Sequence, residues 1–144
     1  MRNSIIILLF ITSTYSLSLS QAKIVGKWKT IDDNTEETKS IVEIYEMNDA
    51  YYGKILKTFP KDGEDTDPIC TECDVDDARY EQKVIGLEII KGMKKDGDQY
   101  SNGNILDPEN GNVYRCKIWR ENGILFVRGY LGFFYRTQEW VIVE

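Results

Sequence analysis

ILDPENGNVYRCKIWRENGILFVRGYLG, residues 105–132, decides the fold. A strand ends at Leu106 and the chain turns through Asp107-Pro108-Glu109-Asn110-Gly111. A second strand runs from Val113 to Arg120, turns at Glu121-Asn122-Gly123, and a third runs from Ile124 to Leu131. Asn-Gly between β-branched and aromatic residues is a strong short-range hairpin signal, because both turn positions need positive φ. Two such turns in succession make an antiparallel meander.

The rest of the chain extends the same pattern. Residues 24–31 alternate, with Ile24, Gly26, Trp28 and Thr30 on one face and the lysines Lys27 and Lys29 on the other, so the Trp28 face points inward. Residues 39–47 carry Val42 and Ile44 on one face and Ile41, Tyr45 and Met47 on the other. Asn48-Asp49-Ala50 turns into a strand at 51–58. Further strands are expected at 84–91, with Ile85, Leu87 and Ile89 facing one way, and at 98–106, where Gly103 marks a bulge or a close approach. Residues 92–97 read as a loop, and the last strand, 134–143, puts Arg136, Gln138 and Trp140 on one face. Between strands 3 and 4, residues 59–83 break the rhythm with two prolines, many acids and no periodicity. A long segment of this kind inside a small domain suits a lid or binding loop, with a short helical turn expected around 76–82. The sum is all-β: about eight strands in an antiparallel up-and-down barrel with one long acidic loop between strands 3 and 4. Closure removes the exposed edges of an open sheet.

Residues 1–20 stand apart. Arg2, the apolar run Ile5 to Ile11 and the small residues before Ala22 have the layout of a secretory signal peptide. Cleavage is expected after Ser20 or Ala22, leaving 21–144 as a single barrel domain that is periplasmic or secreted. The apolar run is too short for a span, so no stable membrane insertion is expected. Removing Arg2 moves the net charge from −6 to −7, with 17 Lys and Arg against 24 Asp and Glu. An acidic domain repels phosphate backbones, so nucleic acid is not an expected partner, and no polybasic patch for anionic lipid is expected. Histidine is absent, which removes the Ser-His-Asp and Cys-His mechanisms and the usual general base near neutral pH. No other nucleophile constellation stands out, and a non-enzymatic protein is expected.

Cys70-Thr71-Glu72-Cys73 has three readings. Zinc would need more Cys or His ligands than the sequence holds. A redox pair would want a helix N-terminus, whereas these thiols lie among acids that raise their pKa. A structural disulfide, Cys70 to Cys73 or a longer bridge using Cys116, fits an oxidising destination best. Cys116 shares its face with Tyr114 and Ile118 and reads as a buried small apolar residue. The acids between Asp62 and Asp77 lack the spacing of a calcium loop and read as a solvated run; neither metal nor cofactor is expected. The tyrosines Tyr45, Tyr52, Tyr100, Tyr114 and Tyr130, with Tyr51 and Tyr135, are spread over most strands. They are candidates for a ring at a barrel mouth gripping a small apolar or amphipathic ligand. Strand tyrosines on outer faces are the plainer alternative.

VGKWKTIDD at 25–33, KSIVEIYE at 39–46, YGKI at 52–55, CTEC at 70–73, VIGLEIIKGMK at 84–94, ILDPENGNVYRCKIW at 105–119 and VRGYLGFFYRTQEW at 127–140 together resemble the DUF2147 family of exported bacterial proteins. That resemblance covers essentially the whole chain beyond residue 24 and implies a lipocalin-like (calycin) barrel. It implies fold and export more than activity. Gly26-Lys27-Trp28 is similar to the lipocalin Gly-X-Trp signature, in which the Trp closes one end of the barrel beneath an Arg of the last strand. By that likeness Arg136 is the expected partner of Trp28, with Arg128 second and Trp140 on the same face as Arg136. The chain is short for a lipocalin and has no room for the C-terminal helix, so a shallow or filled barrel is also open. Two functions follow: binding of a small apolar molecule in a hollow barrel, or a protein-interaction module with a filled one.

Overall fold

In the computed structural model, residues 23–144 are described, and the expected signal peptide lies outside them. Eight strands form a closed barrel in chain order: β1 (Gly26–Ile31), β2 (Thr38–Met47), β3 (Ala50–Thr58), β4 (Glu88–Asp96), β5 (Gln99–Leu106), β6 (Val113–Glu121), β7 (Ile124–Leu131) and β8 (Phe134–Ile142). Every neighbouring pair is antiparallel, and β8 returns to β1 with Trp28 opposite Ile142 and Lys29 opposite Val141. The expected all-β, eight-stranded up-and-down barrel is the observed one.

Local turn chemistry sets much of this. Asn48 and Asp49 both take positive φ, as do Asn122 and Gly123, giving the two-residue turns whose twist matches antiparallel strands. The turn after β5 is longer: Gly111 N–H donates to the Asp107 carbonyl at 2.8 Å, and the Asp107 carboxylate accepts from Glu109 N–H at 3.0 Å. The expected alternation also holds over residues 24–31 and β2, where Ile24, Trp28, Thr30, Val42 and Ile44 are buried while Met47 is exposed.

Strand 4 differs from the sequence reading. It begins at Glu88 and runs through Gly92 to Asp96, not over 84–91. Gly86 has φ +92 and its N–H donates to the Ile55 carbonyl at 2.7 Å, so Val84 to Leu87 make a turn against β3 rather than a strand. Ile85 is consequently exposed while Val84 and Leu87 pack inward. Gly92, also at positive φ, lies within β4, whose register with β3 shifts around Gly53. Gly103 does mark a break in register, between β5 and β6, and a side chain there would strike the Lys91 backbone.

Residues 59–87 form a series of turns with no helix at 76–82. Asp77 N–H bonds to the Asp74 carbonyl, Tyr80 N–H to that of Asp77 and Gln82 N–H to that of Arg79, each within 3.1 Å. Asp65, Asp74 and Asp77 each accept from the backbone N–H two residues on, at 2.8–2.9 Å. The acids of this segment are therefore largely turn formers. Ile69 bridges to Lys83, and Cys70 is disulfide-bonded to Cys73. Arg79, which the sequence reading passed over, is buried and anchors the segment. Its guanidinium donates to both Asp77 carboxylate oxygens at 2.9 and 2.6 Å and to the Glu88 carbonyl at 3.2 Å.

Candidate functional site: the barrel cavity

The two ends of the barrel differ. At the end where β1 begins, Trp28 is fully buried and its indole N–H donates to the Ile24 carbonyl at 2.8 Å. Arg120 lies across the Trp28 ring at 5.2 Å and donates to the Lys23 carbonyl at 3.1 Å. A Trp thus closes this end under an Arg, but the Arg comes from β6. Because Trp28 pairs with Ile142, Arg136 lies roughly 20 Å up β8 at about 3.3 Å per residue. Arg136 is instead at the opposite mouth, ion-paired with Asp33. Arg128, the second candidate, faces outward over Trp119 at 5.0 Å and Tyr135 at 4.4 Å.

The other end is hollow. A cavity of about 700 Å3 opens there, beneath the 59–87 segment. Its walls are apolar: Ile55 from β3, Ile89 from β4, Ile105 from β5, Val127 from β7 and Trp140 from β8. Phe59, Pro60, Pro68, Ile69 and Val84 of the long segment form a roof on one side. Leu131, Phe134 and Arg136 stand at the rim.

The lining also carries neutral polar groups, besides charged side chains from the long segment and the β5–β6 turn, among them Glu64, Asp65, Glu72 and Asp107. Thr30 and Ser40 share a hydroxyl–hydroxyl hydrogen bond of 2.7 Å. Gln138 accepts from the Trp140 indole N–H at 3.2 Å, and Tyr114 completes the set. Gly129 leaves room for Tyr114: a β-carbon there would sit 3.2 Å from the Tyr114 Cβ. Two ion pairs stand at the mouth, Arg136 with Asp33 and Lys39 with Glu109 at 2.7 Å, while the lining carboxylates Glu64, Asp65, Glu72 and Asp107 make none among the described residues. The arrangement suits an apolar body carrying one or two neutral or weakly polar groups.

Of the seven tyrosines expected to ring the mouth, Tyr114 and Tyr135 line the cavity. Tyr45 and Tyr52 stack on the outer wall at 5.9 Å, and Tyr45 donates to the Glu88 carboxylate at 2.6 Å. Burial, then that bond to an anion, pushes the Tyr45 phenol up to about 12. Tyr100 is buried in the core, edge-on to Tyr51 at 4.6 Å, and burial raises its pKa. Tyr130 packs outside against Tyr135 at 5.9 Å with Arg115 over its ring. Parity explains all three outer positions. Tyr45 alternates with buried Ile44, Tyr52 pairs with Tyr45, and Tyr130 is one residue from inward Gly129. The residues the reading missed, Thr30, Ser40 and Gln138, share parity with Trp28, Val42 and Trp140; that was the available signal.

The cysteines divide as the sequence suggested. Cys70 and Cys73 are both buried and bonded to each other, and Gly111 of the β5–β6 turn packs against the Glu72 backbone between them. Cys116 is free and buried, and burial pushes its thiol up to about 12. Among the described residues, no group of three or more acids or cysteines is placed to hold a metal ion.

Comparison with known proteins agrees with this geometry. The model of a family described as an uncharacterized protein conserved in bacteria (DUF2147) matches residues 26–141. A solved structure described as protein HP1028 from the human pathogen Helicobacter pylori, belonging to the lipocalin family, shares the fold with a TM-score of 0.70. It is 16% identical, over 85% of this chain and 84% of that one. No curated protein matches in sequence.

Proposed function

We propose that this chain, which belongs to the DUF2147 family, is an exported, non-enzymatic carrier that holds one small, partly apolar molecule in its barrel. The observation that carries the reading is the cavity: about 700 Å3, inside the range of about 300–1,000 Å3 usual for ligand pockets. Its aliphatic and indole walls would take the apolar body, while Gln138, Tyr114 and the Thr30–Ser40 pair would orient a polar group. The lipocalin-like fold supports the same reading. A non-enzymatic role is supported by the lack of histidine in the sequence and by the ion pairs that hold Arg136 to Asp33 and Glu109 to Lys39 at the rim. Export is supported by the layout of residues 1–22 and by the Cys70–Cys73 disulfide, which suits an oxidising compartment. The interaction-module alternative required a filled barrel, and the cavity argues against that premise.

The test compares the wild type with Val127→Trp, which puts an indole into the cavity from a buried lining position. Native mass spectrometry of protein purified from a periplasm without denaturation should reveal a bound molecule that the variant lacks. Uptake of 1-anilinonaphthalene-8-sulfonate should fall at least about tenfold, the loss of about 1.4 kcal/mol of binding. A wild type with no adduct and no probe uptake, or uptake equal in a folded variant, would overturn the carrier reading.

A further inference from the structure

The β7–β8 turn departs from the other two-residue hairpin tips. Those are polar: Asn48-Asp49, Gly97-Asp98 and Asn122-Gly123. At this one Leu131 is 60% exposed, Phe133 103%, Phe134 81% and Tyr135 62%. Gly132, at φ +59, meets the conformational need of the turn, so two adjacent phenylalanines in water have no part in forming it. Leu131 and Phe134 also border the cavity mouth.

Immediately below the tip, the outer face of β6–β8 is built in cross-strand rows. The first row is Arg115, Tyr130 and Tyr135; the second is Lys117, Arg128 and Thr137. Among the described residues, Arg115, Lys117 and Arg128 make no ion pair, unlike Arg136 and Lys39 at the mouth. Arg128 is held in place by Thr137 at 2.7 Å and by the Tyr135 ring. Carboxylates enter this face only in later rows, Glu139 in the third and Glu121 in the fourth. Three strands thus assemble a cationic patch that no run of sequence displays, in a chain whose net charge is negative.

We propose that this tip and patch dock the barrel, β7–β8 tip first, on the surface of a bilayer containing anionic lipid. The order of groups is the reason. Apolar rings lead, the row of Tyr130, Tyr135 and Arg115 follows, and Lys117 and Arg128 lie behind, matching the order of acyl boundary, interface and phosphate from inside a bilayer outward. A protruding tip suits a yielding surface better than a protein groove, and cations of one sign suit a layer of phosphates. The acidic remainder of the molecule orients the encounter and keeps it reversible. Docking depends on the outer surface alone and stands whether or not the cavity is loaded.

Flotation of residues 23–144, the segment in which the barrel closes, tests this with vesicles of phosphatidylcholine alone and mixed with phosphatidylglycerol. The wild type should float with the mixed vesicles and much less with phosphatidylcholine alone. Replacing Phe133→Ser and Phe134→Ser together should cut the partition coefficient about a hundredfold, taking about tenfold for each buried ring. Arg115→Gln and Lys117→Gln should each cost about fivefold. Because position 133 is fully exposed, Phe133→Trp leaves the fold intact, and its emission should shift to the blue on mixed vesicles only. Equal flotation of wild type and the double serine variant, no flotation of the wild type, or no effect of phosphatidylglycerol would overturn the proposal. So would tip-dependent capture of a protein without vesicle binding.

Discussion

Replacing Arg79 by methionine removes a guanidinium while keeping most of the side chain's buried stem. The change breaks two bonds to the Asp77 carboxylate, at 2.9 and 2.6 Å, and one to the Glu88 carbonyl at 3.2 Å. Stripping one partner from a fully buried pair costs about 3–5 kcal/mol, whereas an exposed pair is worth about 0–1 kcal/mol. Here the Arg79 side chain is 8% exposed and that of Asp77 20%, so the orphaned carboxylate regains part of its hydration. The cost should lie between those limits, at about 2–3 kcal/mol, or roughly 10 °C in Tm for a domain of this size. The bonds from Arg79 hold the Asp77 carboxyl down at about 2. Its unfolded value is about 3.9, so the stabilisation is fully present above that value and is lost as pH falls toward about 2. Urea unfolding of wild type and Arg79→Met should therefore differ most near pH 6 and converge in strong acid. A variant within about 0.5 kcal/mol of wild type at pH 6, the ordinary effect of a surface change, would refute this view of the anchor. So would a difference that persists unchanged to pH 2.

Two further outcomes follow from the same packing. Cys116 should resist alkylation by iodoacetamide in the folded protein up to pH 9 and react fully in denaturant, since burial holds its thiol at about 12; mass spectrometry of the labelled chain reads this. Gly111→Ala should lower stability by more than about 1 kcal/mol, because φ is +73 there and the added methyl meets the Glu72 backbone. Chemical denaturation measures that loss, and faster proteolysis between Pro68 and Val84 should accompany it.

What could be read in the sequence was what is encoded locally. Asn48-Asp49 and Asn122-Gly123 are turns whatever surrounds them, and Trp28 alternates with two lysines, so its inward face needed no partner to be known. Where glycine interrupts alternation the reading slipped: Gly86 and Gly92 move β4 four residues along and turn Ile85 outward. The Arg over Trp28 was misplaced because only the β1–β8 register decides which strand reaches that level, and register is a relation between distant segments. Only Tyr114 and Tyr135 of the expected ring reach the cavity, for a reason already in the sequence, since Tyr45 and Ile44 cannot face the same way in one strand. The cavity itself was not legible. Its volume depends on how far Arg79, the disulfide and the roof residues hold the long segment off the barrel, and no single residue states that distance.

The seam between β1 and β8 has a consequence for how the chain comes into being. Closure joins the first strand to the last through Trp28–Ile142, Lys29–Val141 and a Val143 N–H to Lys27 carbonyl bond of 2.9 Å. A nascent chain that has emerged only as far as β7 has every local hairpin except β7–β8 available and still no closed core, because Trp140 is missing. Such high contact order delays final folding. For the exported protein proposed above, that delay keeps the polypeptide threadable through a translocon until its last strand arrives.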